Sequence, residues 1–278
     1  MRRALILALA VLPLSARAAD RVASAGLCAD QLVIPLVGRD RIAGVSPEAA
    51  SAAVSPVAEA AQGLPVLAPS AEALVLVGAG TVVLNTYGEG KTQALLEKLG
   101  VRVLRIPYDA TLDEVPASLR RLGAALGESE RAEALAGDFR RRLEAVAAGR
   151  AGTITAAYYR PDGGSAGHGT YVAEVMAVAG YDSLAARLGQ PGWGRLDLET
   201  LVLTPPDAVI TSFFESKGES LRRLFGRHPV FRRQLAATPA VAVPGRLWGC
   251  GGWPVVAAAE YMGVHHPGKG HHPGKGTP

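Results

Sequence analysis

The segment 129–148 most constrains what this chain can fold into. Ala132, Leu135, Ala136, Phe139, Leu143 and Val146 fall at helical spacing, with arginine, glutamate and aspartate on the opposite face. Ser129 is a candidate cap at its start and Gly149 at its end. Some 20 residues rising about 1.5 Å each span roughly 30 Å, the diameter of a small domain. Such a helix is long enough to bridge two bodies, and equally able to cover one. Short apolar runs alternate with helical periodicity on both sides of it, the pattern of parallel sheets covered by helices. Candidate strands lie at 21–25, 41–45, 82–84, 102–106, 153–159, 208–211 and 240–243, and candidate helices at 30–37, 91–99, 170–179, 197–203 and 254–262. Gly100 follows the second of these helices as a left-handed terminating glycine would.

The chain opens Met1-Arg2-Arg3, continues as an apolar run over 4–14 and reaches Ser15-Ala16-Arg17-Ala18-Ala19, the three-part plan of a secretory signal peptide. The small residues predict cleavage after Ala18 or Ala19. A membrane anchor needs roughly 20 apolar residues, and this run is shorter and contains Pro13. No cysteine sits just beyond the cleavage region for lipid attachment. The expected product is free in the periplasm, with about 260 residues, enough for one large α/β domain or two lobes.

The formal charge of +4 suggests a nucleic-acid partner only until its sources are located. Arg2, Arg3 and Arg17 belong to the signal and Lys269 and Lys275 to the tail; removing those five from 29 basic residues leaves 24 against 25 acidic ones. A near-neutral body has no compositional basis for binding a phosphate backbone.

Two cysteines occur, Cys28 and Cys250. Export permits a disulfide, but pairing requires Cα atoms within about 7 Å. Two free thiols near a cleft, or two packed apolar thiols, fit the sequence as well. The run Gly88-Glu89-Gly90-Lys91-Thr92 has the outline of a phosphate-binding loop, but Asn85 stands where its first glycine should be. It reads better as a strand-to-helix loop at the carboxyl edge of a sheet, which would turn Tyr87 toward a cleft. Nucleophile elbows, zinc-helix motifs and cysteine pairs at zinc spacing are absent from the sequence. His168 lies in the glycine-rich loop Gly164-Ser165-Ala166-Gly167-His168-Gly169, where backbone N–H groups and an imidazole can meet an anionic or metal-bearing ligand, or where histidine is merely tolerated in a turn. The ending repeats His-His-Pro-Gly-Lys-Gly, so that His265, His266, His271 and His272 form a possible weak metal site on a tail expected to be disordered over 264–278.

Several of these stretches together resemble the periplasmic receptors for iron-siderophores, heme and cobalamin that serve ABC importers. They are Arg21-Val22-Ala23-Ser24-Ala25-Gly26-Leu27-Cys28-Ala29-Asp30-Gln31-Leu32, Arg41-Ile42-Ala43-Gly44-Val45-Ser46-Pro47, and Tyr159-Arg160-Pro161-Asp162-Gly163-Gly164 with the glycine loop. Gly192-Trp193-Gly194 ahead of Leu198-Glu199, Pro205-Pro206-Asp207 before a strand, and Arg246-Leu247-Trp248-Gly249-Cys250-Gly251-Gly252 complete the set, which spreads from about Arg21 to Tyr261. The resemblance implies two lobes, each a parallel sheet flanked by helices, joined by a single long helix that allows only small opening motions. The divisions would be a signal peptide at 1–19, an N-terminal lobe at 20–128, the linking helix at 129–149, a C-terminal lobe at 150–263 and the tail.

It further implies a monomeric, non-catalytic protein without an intrinsic cofactor, which captures a corrinoid or iron chelate and delivers it to a permease and its ATPase subunits. Cys28, Asp30, Tyr87, Gly164, Ser165, His168, Trp193, Phe213, Phe214, Trp248 and Cys250 would line the ligand, and Glu72 and Glu199 would dock on the permease. The sequence departs from the siderophore receptors in having no clear arginine cluster, and from the heme receptors in lacking clearly matched tyrosine and histidine ligands. Two other classes stay open: a periplasmic enzyme using His168 and a cysteine, and a metal chaperone using the tail.

Overall fold

A computed structural model describes residues 21–68, 70–214 and 224–269. The chain runs β1 (Val22–Ala25), α1 (Leu27–Leu36), β2 (Ile42–Gly44), α2 (Ala58–Ala61), α3 (Ala71–Leu76), β3 (Thr81–Leu84), α4 (Gly90–Lys98) and β4 (Arg102–Arg105). Two long helices follow, α5 (Glu114–Leu126) and α6 (Ser129–Ala148). The remainder is β5 (Ile154–Tyr159), β6 (Gly164–Ala166), α7 (Tyr171–Val178), β7 (Tyr181–Ser183), α8 (Leu184–Arg187), β8 (Trp193–Arg195), α9 (Leu198–Leu203), β9 (Ala208–Ser212), α10 (Leu224–Arg227), α11 (Pro229–Ala237), β10 (Ala240–Val243) and α12 (Val256–Val264).

The strands form two separate four-stranded parallel sheets, β2-β1-β3-β4 and β7-β5-β9-β10, plus a short antiparallel pair β6-β8. The order is the same in both when each sheet is numbered from its own first strand. Central strands β1, β3 and β9 are buried throughout, as parallel strands covered on both faces must be. The architecture is α/β with two lobes, as the sequence predicts. The antiparallel pair β6-β8 and the edge strand β7 are additions to that expectation, because three-residue strands leave too short an apolar pattern to read.

Helix α6 occupies the predicted residues, and it serves both lobes. Ala132 is packed in the apolar core beside β1 and α1, whereas Ala136 and Phe139, little more than a turn further on, belong to the core beneath β5, β9 and β10. It does not act alone. Helix α5, absent from the sequence expectations, lies against it and divides its own face in the same way, with Leu122 and Leu126 in the first core and Val115 and Leu119 in the second. The close approach depends on Gly123, where a Cβ would lie 2.2 Å from that of Ala132. The cap expected at Ser129 is not used: Glu128 is the capping residue, without a side-chain bond to the helix, and its carboxylate instead binds Arg41 at 2.7 Å.

Further ties cross between the lobes. Cys28 at the start of α1 and Cys250 after β10 are joined in a disulfide, with Cα atoms 5.4 Å apart across 222 residues of chain. Trp253 donates its indole N–H to the Gln31 carbonyl at 2.7 Å, and the Leu112 N–H donates to Glu174 Oε2 on α7 at 2.6 Å. Both free-thiol readings of the cysteines are thereby corrected.

The tail expectation also needs correction up to Lys269. His266 is buried, accepts the Gly268 N–H at Nδ1 and lies 3.3 Å from the Gly180 carbonyl at Nε2, with its ring against Tyr181. With Nδ1 accepting, Nε2 carries the proton toward Gly180, so neither nitrogen has a lone pair left for a metal. His265 stacks on Tyr261 and bonds its carbonyl through Nδ1. His271 and His272, like the signal peptide, lie outside the described residues. Among the described residues no cluster of three metal-binding side chains occurs, and no helix is long and apolar enough to cross a membrane.

Gly123→Ala should destabilise the protein by about 1–3 kcal/mol, the usual cost of overpacking, read as a lower urea midpoint. The 222-residue loop closed by the disulfide predicts a larger effect: the Cys28→Ser/Cys250→Ser double variant should lose up to about 5 kcal/mol through the freed unfolded chain. A reductant should lower the urea midpoint of the wild type and leave that variant unchanged.

Candidate functional site

Ligands of open α/β sheets bind outside the carboxyl ends of the strands, and here the carboxyl ends of both sheets converge on one cavity of about 330 Å³. From the first sheet come Cys28 after β1, the run Asn85-Thr86-Tyr87 after β3, and Tyr108 after β4. From the second come Tyr158 and Arg160 at the end of β5, Phe213 after β9, and Trp248, Gly249 and Cys250 after β10. Tyr171 and Val172 of α7 and Trp193 of β8 complete the wall.

The local conformations that position these groups have identifiable causes. Gly26, with φ 108°, turns β1 into α1 where a Cβ would lie 2.2 Å from the Asn85 amide. Asn85 uses that closeness to accept the Ala29 N–H at 3.0 Å, capping α1 from another strand and fixing the turn that carries Cys28. Phe213 has φ 64°, a strained value for an aromatic residue. Its ring lies where a Cβ on Gly245 would be 2.4 Å away, so the glycine makes room for it.

The aromatic side chains are held as a connected belt. Tyr87 and Tyr108 have ring centres 6.0 Å apart, and the Trp193 indole N–H donates to the Tyr108 hydroxyl at 2.9 Å across the cleft. Tyr171 meets Trp193 edge to face at 5.6 Å and donates its hydroxyl to the Trp248 carbonyl at 2.8 Å. Trp248 in turn donates to Ser212 Oγ at 2.7 Å and stands edge-on to Tyr158. Burial pushes the Tyr171 phenol well above its ordinary range, with the neighbouring Tyr108 adding to the shift, so it remains a donor.

Arg160 is the cation in this wall, and its guanidinium lies 3.1 Å from Asp162. Burial alone would raise the Asp162 carboxyl, but hydrogen bonds from Arg160 and the Gly164 N–H outweigh it and hold the group below its usual range. A Cβ on Gly164 would lie 3.1 Å from Arg160 Nε, so glycine there lets the arginine fold back over the loop. Among the described residues the arrangement offers flat faces, hydroxyl groups and one cation.

Of the eleven residues expected to line a ligand, Cys28, Tyr87, Trp193, Phe213, Trp248 and Cys250 stand at this cavity. Asp30 does not: it is buried within the first lobe, where it accepts hydrogen bonds from the Ser24 hydroxyl and from the Ser46 N–H and hydroxyl. Burial pushes its carboxyl up and those donors pull it back, the role of a structural clamp between β1, α1 and β2. Phe214 turns away to stack on Phe231, 6.0 Å between ring centres. Gly164 and Ser165 are buried in β6 behind the wall, and His168 is exposed outside it, paired through its backbone with Gln190 and Gly192.

The sequence reading missed Tyr108, Tyr158, Arg160 and Tyr171. The available signal for Tyr108 and Arg160 was position, since each follows a strand. Glu72 and Glu199 are exposed at the starts of α3 and α9, helices capped by Ser70 and Asp197.

Comparison with solved structures finds the same fold in several binding proteins. The periplasmic heme-binding protein RhuT from Roseiflexus sp. RS-1 superimposes with a TM-score of 0.67 at 21% identity, covering 88% of this chain and 98% of that one. HutB of Vibrio cholerae, a periplasmic heme-binding protein, gives 0.70 at 19% identity over 88% and 97%. BtuF of the same organism, a periplasmic vitamin B12 binding protein, gives 0.63 at 16% identity over 91% and 98%. A search of curated protein sequences finds no match. A family model described as periplasmic binding protein matches residues 22–241, from β1 into β10, and on that match the chain belongs to the periplasmic binding protein family.

Proposed function

We propose that this protein is the exported substrate-binding component of an ABC importer, and that it carries a flat, aromatic-faced metal chelate of the heme, corrinoid or catecholate-siderophore class. The observation that carries this reading is the aromatic belt itself, in which tyrosines from both lobes and two tryptophans of the second line one cavity, with Arg160 the one cation among the described residues. Edge and face contacts of such rings suit a planar conjugated ligand, and a largely apolar pocket with few polar groups is the usual form of a small-molecule site. The cavity volume of about 330 Å³ is at the low end for ligand pockets, roughly 300–1,000 Å³. That favours a ligand inserted edge-first over one enclosed whole. The solved structures with this fold include receptors for heme and for vitamin B12, in keeping with cargo of this kind.

In this reading the signal peptide directs the protein to the periplasm, ligand enters between the lobes, and Arg160 meets an acidic group at its edge. Glu72 and Glu199, one on each lobe, then face the permease. The enzyme alternative loses its constellation, because Cys28 and Cys250 are bonded to each other and His168 stands outside the cavity.

Trp193 and Trp248 line the cavity, so binding can be followed by quenching of intrinsic fluorescence. Titration with hemin, cyanocobalamin and a ferric catecholate should give saturable one-to-one quenching with one of the three and no chemical change in it. Failure of all three would refute the proposed class. For a carboxylate-bearing ligand such as hemin, Arg160→Ala should weaken binding about tenfold or more, the loss of one charge-assisted hydrogen bond. Unchanged affinity would remove Arg160 from the site.

A further inference from the structure

The same five-residue pattern stands in equivalent places on the two lobes. Helix α3 contains Glu72-Ala73-Leu74-Val75-Leu76 and leads into β3, the third strand of its sheet; helix α9 contains Glu199-Thr200-Leu201-Val202-Leu203 and leads into β9, the corresponding strand of the other. Both helices are six residues long and both are capped by a side chain, Ser70 accepting the Ala73 N–H and Asp197 the Thr200 N–H. Leu74 and Leu201 are completely buried, and each anchors its helix to its lobe. A helix turns about 100° per residue, so residues two before and two after a buried position both lie roughly 160° away from the core. They share the outward face one turn apart. The glutamates are accordingly exposed, and Leu76 and Leu203 are 80% and 73% exposed.

Single exposed leucines are common and need no explanation. Two at equivalent sites, each one turn from a glutamate that makes no ion pair among the described residues, are a different matter. Their mutual orientation follows from the fold. The two sheets turn their carboxyl edges to the same cavity, so the corresponding direction is reversed between the lobes, and the only rotation that reverses a direction is a half-turn. The Glu–Leu pairs are therefore related by an approximate two-fold axis through the cleft.

We infer that Leu76 and Leu203 are apolar anchors of a two-point docking surface whose occupant is a two-fold symmetric partner presenting, twice, a cation beside an apolar hollow. Within the proposed function, on which this inference rests, that partner is the permease dimer. The glutamates steer the approach through long-range charge, whereas the leucines slow release by burial. A partner with only one such hollow would use one lobe, and the duplication would serve nothing.

The test uses fluorescently labelled full-length protein and right-side-out membrane vesicles of the source bacterium. Leu76→Ser and Leu203→Ser should each weaken saturable binding about tenfold and the double variant about a hundredfold, because two anchors engaged together lose affinity multiplicatively. Melting curves and the fluorescence titrations above should be unchanged, since neither side chain is in a core or at the cavity. Unaltered vesicle binding in the double variant, or an effect confined to one lobe, overturns the inference. If Glu72→Gln and Glu199→Gln lose binding while the leucine variants do not, the leucines fail and the importer reading survives; if the wild type shows no saturable binding, both fall. Sedimentation equilibrium covers the remaining occupant: a wild-type dimer dissociated by the leucine substitutions would assign the surface to a second copy of this chain and also overturn the inference.

Discussion

The whole arrangement depends on two helices that belong to neither lobe alone. Because α5 and α6 lie face to face with no room for a Cβ at Gly123, they form one rigid ridge. Each places residues from successive turns in different cores, Ala132 in one and Phe139 in the other, Leu122 in one and Leu119 in the other. Opening the lobes like a book would pull apolar side chains of the ridge out of at least one core, at roughly 1.5–3 kcal/mol for each large residue exposed. The lobes are thus held by the same hydrophobic burial that folds them. The disulfide between Cys28 and Cys250 adds a covalent limit at the cavity wall itself. At the rim of the cavity the lobes meet more lightly, through the hydrogen bond from Trp193 to Tyr108.

A cleft so constrained has to be preorganised, and the belt shows how. Buried hydroxyl and indole groups are each given one partner, Tyr171 on the Trp248 carbonyl and Trp248 on Ser212, so the rings are fixed by hydrogen bonds as well as by packing. The strained backbone at Phe213 is tolerated because strand β9 and the space over Gly245 determine it from both sides. Rigid aromatic surfaces lose little side-chain entropy on binding. Such faces need few polar contacts to hold a flat molecule, and among the described residues Arg160 is the one cation that lines the cavity.

How much of this was legible in the sequence depends on periodicity. Seven of the strands and α6 announce themselves as short apolar runs and helical periodicity, whereas the three-residue strands β6, β7 and β8 are too short to leave a pattern. Helix α5 hides behind Pro116 and Gly123, two residues that usually break helices. Pro116 is in the first turn, where a missing N–H costs nothing, and Gly123 is required by the neighbouring helix. Among the site residues, Asp30 illustrates a geometric error: it stands two positions from Cys28 on α1, so the two side chains point to nearly opposite sides, and only one can reach the cleft. Phe213 and Phe214 divide in the same way, one facing the cavity and the other the Phe231 cluster. Tyr158 and Tyr171 were invisible as site residues because aromatic positions inside a strand and a helix look like core, and by burial they are core, although both line the cavity.

The disulfide lay beyond sequence reasoning for a different reason. Cys28 and Cys250 are separated by nearly the whole folded chain, and nothing local to either reports the other. Their meeting follows from two facts of topology: each stands just past the carboxyl end of a strand, and the carboxyl ends of the two sheets are turned toward one another. The same two facts produce the cavity and orient α3 and α9. Cross-link, cavity and duplicated outer surface are therefore consequences of one geometry, two like sheets facing by the same edge, and a change that rotated one lobe relative to the other would disturb all three together.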